Sequence, residues 1–250
     1  MLIAIYVAYL ALLSRMPPLH EEGIEDLERI PRSIVLAPRP VRIGAIAGLF
    51  LAGGAIIYFL AEPFLGSLQA VATAVGVPTF FFIQWVAPFV SEFPEGASAF
   101  NWARTVERAS MALMNLVSSN INQWTLLAAM LPIVYSLARG EASTIRFDNQ
   151  QELELLMTLG QSLVGALFLI NMELAWWEAA ALFGLWAIQF ALSPVEPGPG
   201  VIRALAGRIH WLVTIAYFGW AAIETVRMLL GHRKPRAFEL FGVMWRRHVR

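Results

Sequence analysis

Two carboxylates, Glu92 and Glu95, stand one helical turn apart inside a long apolar run, with Ser91 before them and Phe93 and Pro94 between them. A second apolar run carries Asn115, Ser118, Ser119, Asn120, Asn122 and Gln123. Charged and amide groups at membrane depth are costly and mark functional sites by default. The side chains share one chemistry, since carboxylate, amide and hydroxyl oxygens are the ligands that hard cations such as Na⁺ and Ca²⁺ take. Prolines add to it: Pro78, Pro88 and Pro94 each remove a backbone N–H and free a carbonyl of the preceding turn. Such broken backbone is tolerated in a membrane only beside a cavity or an ion.

Helical spacing groups these residues. Positions i, i+4, i+7 and i+11 share a face. Gln84, Pro88, Ser91 and Glu95 fall on one such stripe, with Glu92 one position off it. Asn115, Ser119, Asn122 and Gln123 form another. Two facing helices would then each present a row of oxygens. Single Ser, Asn and Gln residues also serve as hydrogen-bond glue between membrane helices, an alternative open for Asn115 and Ser118. The two glutamates need more than glue: a cation, a proton or an arginine, and Arg104 and Arg108 are the nearest candidates.

Other chemistries find little support. There is no Cys, so no disulfide framework and no thiolate metal site. No HExxH, GxSxG, P-loop or GxGxxG motif occurs, and no Asp lies in an apolar span, so neither an enzyme nor a resident cofactor is expected. A net charge of +0 gives nothing to attract nucleic acid. Glu173 and Glu178, flanking Trp176 and Trp177, read as interfacial, as does His210; Gln161, Ser162 and Gln189 read as glue. Glu224 and Arg227, spaced i, i+3, should pair.

The elements that must carry these residues follow from composition. The chain is 58% hydrophobic and 14% charged, with a mean hydropathy of +0.62. Soluble domains carry roughly 25% charged residues. The expected fold class is therefore all-α, a polytopic protein of the lipid bilayer with six full transmembrane helices and a short N-terminal apolar helix. Residues 1–14 are too short to span and read as the end of a membrane helix. Residues 15–42 form a loop in which Glu21, Glu22, Glu25, Asp26 and Glu28 precede Arg29, Arg32, Arg39 and Arg42. Residues 43–138 form a membrane region, with spans from Ile43 to Leu60, where Glu62-Pro63 should stop the helix, from Leu68 to about Phe100, and from Ala109 to about Leu137. The remaining membrane helices occupy 152–230, and 231–250 is a basic tail. Loop 15–42 and the tail fall on one side and are the most basic segments, so both are expected to be cytoplasmic.

At the polar clusters the chain resembles the Ca²⁺/cation antiporter superfamily, the sodium/calcium exchanger family. Its α-repeat carries GTSxPE and, on the next helix, GNxxGSNxxN/D. Val90-Ser91-Glu92-Phe93-Pro94-Glu95 resembles the first motif, and Asn115 to Gln123 the second, within a repeat covering 77–135. The resemblance implies that Glu95 is the central cation ligand, that Ser91 replaces the motif threonine, that Ser119 matches the motif serine, and that Gln123 takes the Asn/Asp position. Glu92 stands where the family has serine. Two close carboxylates do not both ionise cheaply without a cation, so proton coupling or exchange of a monovalent cation is expected beside Na⁺/Ca²⁺ exchange.

The family uses two repeats of opposite topology. Residues 150–195 contain neither PE nor GSN, so a single copy is expected here, in a layout like the C-terminal half of an exchanger. The resemblance thus implies half of an antiporter in a prokaryotic inner membrane, completed by a second membrane chain with the complementary repeat. The transported Ca²⁺, Na⁺ or H⁺ would be substrate. The rival expectation is a non-transporting membrane subunit or assembly factor.

Overall fold

The computed structural model describes residues 1–16, 24, 27, 29–78, 82, 86, 88–106, 108–195 and 198–248. Gln84, Glu107 and the acidic cluster Glu21 to Glu28 lie outside them. Among the described residues all regular structure is helical. Four helical stretches are long and apolar enough to cross a membrane: Arg39–Val75, Ala109–Arg139, Asn149–Leu169 and Ile209–Leu229. Leu2–Leu13 and Trp176–Leu192 are shorter apolar helices. The chain is an integral membrane protein, and it divides into two compact units, Met16–Ala87 and the rest.

In the smaller unit, α2 (Arg29–Leu36) precedes α3 (Arg39–Val75). Pro38 caps α3 and Pro40 sits in its first turn, where a missing N–H costs nothing. The sequence places a stop at Glu62-Pro63, but α3 runs straight through it for 37 residues. Proline removes one ladder bond and leaves the others, and the apolar sequence continues on both sides. The stop comes at Gly76, whose φ of 69° only glycine adopts readily, with the Val77 N–H bonded to the Ala72 carbonyl at 3.1 Å. The expected span from Leu68 to Phe100 therefore begins inside α3.

The larger unit contains α1 (Leu2–Leu13), α4 (Phe93–Ala103), α5 (Ala109–Asn122), a π turn (Gln123–Leu127) and α6 (Ala128–Arg139). It continues with α7 (Asn149–Leu169), α8 (Trp176–Leu192), α9 (Val201–Ala206), α10 (Ile209–Leu229) and α11 (Arg236–His248). Helix α7 opens on a capping box, Asp148 Oδ1 accepting from the Gln151 N–H at 2.8 Å while Gln151 Oε1 accepts from the Asp148 N–H. Its core stripe, Met157, Val164 and Phe168, packs against Ile209, Val213, Tyr217 and Ala221, spaced one helical turn apart on α10. Gly160 lets the two helices close, since a Cβ there would lie 3.0 Å from Tyr217 Cβ. The α4–α5 hairpin carries the polar clusters. Phe89, just before α4, packs edge-on against Trp186 and Phe190 of α8, at 6.5 and 6.1 Å between ring centroids.

Candidate ion site

The site begins where a helix breaks. Residues 88–91 are helical, Glu92 leaves helical geometry at φ −93°, ψ 0°, and α4 restarts at Phe93. Pro94 has no N–H, so the carbonyl of Val90 loses its usual donor. Glu92 thereby becomes the N-cap of α4 and Glu95 falls in its first turn. The exposed N–H groups of a helix start carry partial positive charge, a favourable setting for a carboxylate.

Across the hairpin, Gln123 Nε2 donates to Glu92 Oε1 and ties the break to the π turn. That turn inserts an extra residue into an otherwise continuous helix, as π turns at functional sites commonly do. The buried Thr125 inside it bonds back to the Ile121 carbonyl. One residue earlier on the chain, Asn122 faces a different environment. It lines a cavity of about 270 Å³ together with Glu95, Asn115, Ser118 and Ser119. Its Oδ1 is buried and has no hydrogen-bond partner among the described residues. A buried carbonyl oxygen without a donor is unfavourable and suits a cation.

The third wall comes from α1, where Tyr6, Tyr9, Leu10 and Leu13 line the same cavity. The Tyr9 hydroxyl donates to Ser118 Oγ at 2.8 Å. Sequence reasoning missed both tyrosines. Their signal was two hydroxyls three positions apart in a segment of twelve otherwise apolar residues.

The expected residues thus separate into groups. Glu95, Asn115, Ser119 and Asn122 share the cavity, while Glu92 and Gln123 bond to each other. Ser91 stands apart, exposed, with its hydroxyl turned back to the Pro88 carbonyl at 3.4 Å. Arg104 lies over the Phe100 ring at 6.0 Å, and no ion pair links Glu95 to it or to Arg108 among the described residues. No three His, Cys, Asp or Glu side chains converge among the described residues. Any cation held here relies on one carboxylate, amides and hydroxyls, unless further ligands arrive from elsewhere.

The family model for the sodium/calcium exchanger protein matches residues 45–193, which include the polar residues of α4, α5 and the π turn but not the α1 wall of the cavity. The chain belongs to the sodium/calcium exchanger family. A crystal structure of the H⁺/Ca²⁺ exchanger CAX superposes with a TM-score of 0.72 at 28% sequence identity. The match covers 93% of this chain and 58% of that one, so the chain spans a little over half the length of that exchanger. No curated protein sequence matches the chain.

Two polar clusters lie away from the cavity. His210, expected at the interface, has polar partners: its Nε2 pairs with Glu154 Oε1 at 2.7 Å, with Gln189 and Ser193 at 3.3 and 3.2 Å. Glu178, expected at the interface, is buried. Its Oε1 pairs with Arg233 Nη2 at 2.7 Å, and Glu224 Oε2 holds Arg233 Nη1 at 3.0 Å. The expected pairing of Glu224 with Arg227 is present at 2.7 Å.

Proposed function

We propose that the chain supplies one of the two ion-binding repeats of a cation antiporter, which exchanges Ca²⁺ or Na⁺, with H⁺ as the counter-ion, by alternating access. The observation that carries this reading is the shared cavity of Glu95, Asn115, Ser119 and Asn122, set beside a proline-broken helix start in a chain of the exchanger family. Glu95 acts as the central ligand and takes up a proton when the cation leaves, so that cation and proton occupy the site in alternation. Asn122 Oδ1, Ser119 and Asn115 add neutral oxygens. Glu92, held by Gln123, fixes the start of α4 and brings a second carboxylate to the site's edge. Ser91 enters this ligand set by helical spacing and by its motif position, and Gln84 by helical spacing.

In this reading the chain makes six full crossings, with loop 15–42 and tail 231–250 in the cytoplasm of a prokaryotic cell. The complementary repeat, of opposite topology, comes from a second membrane chain. Support for the incomplete site is the length of the match and the charge: the chain spans 58% of the exchanger chain it superposes on, and this cavity offers a divalent cation a single carboxylate.

The deciding measurement is ⁴⁵Ca²⁺ and ²²Na⁺ flux in proteoliposomes under an imposed pH gradient, with the complementary chain co-reconstituted. Glu95→Gln should bring flux to the background of empty vesicles, and full flux in that variant would remove Glu95 from its role. Flux that ignores the pH gradient would remove the proton. A non-transporting subunit is the second reading, favoured by the Glu92–Gln123 bond, which lets a carboxylate serve structure alone. It requires that no pairing of chains gives flux above background.

A further inference from the structure

A second cavity, of about 530 Å³, opens where α7 and α10 end and α8 begins. Its floor is Arg233, 7% exposed, held by Glu178 and Glu224 and by the Phe168 carbonyl at 2.6 Å, with its guanidinium 5.5 Å from the Phe168 ring centroid. Arg227 satisfies the other oxygen of Glu224. These two arginines and two glutamates cancel in charge. On the rim, Arg236 pairs with Glu173 at 3.4 Å and cancels it. Lys234 also lines the cavity, exposed, and has no carboxylate partner among the described residues. His232 sits next to it. The cavity therefore carries one uncompensated positive charge. In addition, Arg233 Nε is buried without an acceptor among the described residues, a state that a ligand oxygen would relieve.

The surroundings name the kind of anion. Two membrane-crossing helices end at this cavity, so it sits at the level of lipid headgroups. Leu229 and Leu230, immediately before it, are 77% and 67% exposed, an apolar surface leading to its mouth. Helix α11 starts at the cavity wall, anchored by the Ala237 N–H to the Ile170 carbonyl at 2.9 Å. Phe238, Phe241 and Trp245 lie exposed along one stripe of α11, with Arg246 and Arg247 at its end. An exposed aromatic stripe with terminal arginines is the build of a helix lying in the headgroup plane.

We propose that this cavity binds the headgroup of an anionic phospholipid, its phosphodiester facing Lys234 and Arg233 and its acyl chains lying on Leu229, Leu230 and the apolar stripe of α11. A phosphodiester carries one negative charge and matches the single uncompensated cation, whereas a free phosphate dianion would not. Basic pockets at the ends of membrane helices hold headgroups of this kind.

Native mass spectrometry of the detergent-solubilised full chain tests this with phosphatidylglycerol, phosphatidylcholine or inorganic phosphate added. Phosphatidylglycerol should remain bound preferentially. Lys234→Gln should weaken its binding roughly fivefold, the equivalent of about 1 kcal/mol per juxtamembrane cation, and Lys234→Arg should retain it. Equal binding of phosphatidylcholine, or wild-type affinity in Lys234→Gln, would overturn the proposal. Binding of inorganic phosphate in competition with phosphatidylglycerol would also overturn it, by assigning the cavity to a free anion.

Discussion

At Arg233 one guanidinium holds two carboxylates from different helices, Glu178 of α8 and Glu224 of α10, all three out of solvent. Arg233→Ala would leave both carboxylates buried without their partner, and thermal unfolding in detergent should show a loss of about 3–5 kcal/mol. Arg227→Ala, at a half-exposed position on the same glutamate, should cost about 1 kcal/mol or less in the same assay. Of this cluster only the Glu224–Arg227 pair was legible in the sequence, because i, i+3 spacing is local. Arg233 lies in the tail and meets Glu178 only after three helices have packed, so no window of sequence contains the pair. The ion site divides in the same way. Helical periodicity put Asn115, Ser119 and Asn122 on one face, and they line a cavity with Glu95, whereas Tyr9 reaches Ser118 from 109 positions away. Tyr9→Phe removes that hydrogen bond and should lower stability by about 1 kcal/mol in thermal unfolding, with little change in fold.

Among the elements, the closest approach of α7 and α10 rests on Gly160. A valine there would meet the Tyr217 Cβ and the Phe218 ring, at 3.0 and 3.2 Å from the first added carbon, before its own branches are placed. Gly160→Val should therefore destabilise by about 1–3 kcal/mol, whereas Gly165→Val, where nothing lies within 4 Å of an added Cβ, should leave packing intact. Unfolding midpoints of the two variants make the comparison. The helix breaks show what sequence alone can place. Pro94 stands at an interruption, with Glu92, two residues before it, out of helical geometry, while Pro63 lies inside an unbroken helix. Composition at a proline does not say which outcome follows. The π turn at Gln123–Leu127 had no signal of its own, being a register change with no dedicated residue type.

For the molecule as a whole, the absence of cysteine makes topology directly measurable. If Ala109–Arg139 crosses the membrane, single cysteines at Thr105 and Ser143 must react with an impermeant maleimide from opposite sides of oriented vesicles. Cysteine at Glu173 should label with Thr105, since Asn149–Leu169 returns the chain to that side. Labelling of Thr105→Cys and Ser143→Cys from one side would cancel the crossing. The membrane class was legible from composition, yet four helices rather than six are long and apolar enough to cross among the described residues: the region between α3 and α4 includes residues outside them, and Trp176–Leu192 is shorter, at 17 residues. Helix α3 has a further consequence. Between Arg42 and Gly76 its single charge is Glu62, so about 50 Å of apolar helix faces a hydrocarbon layer about 30 Å thick. Such hydrophobic mismatch is relieved by tilting, by bending or by thickening the surrounding lipid. Acyl-chain length then sets how steeply α3 leans, and bilayer thickness becomes a variable to which this protein responds.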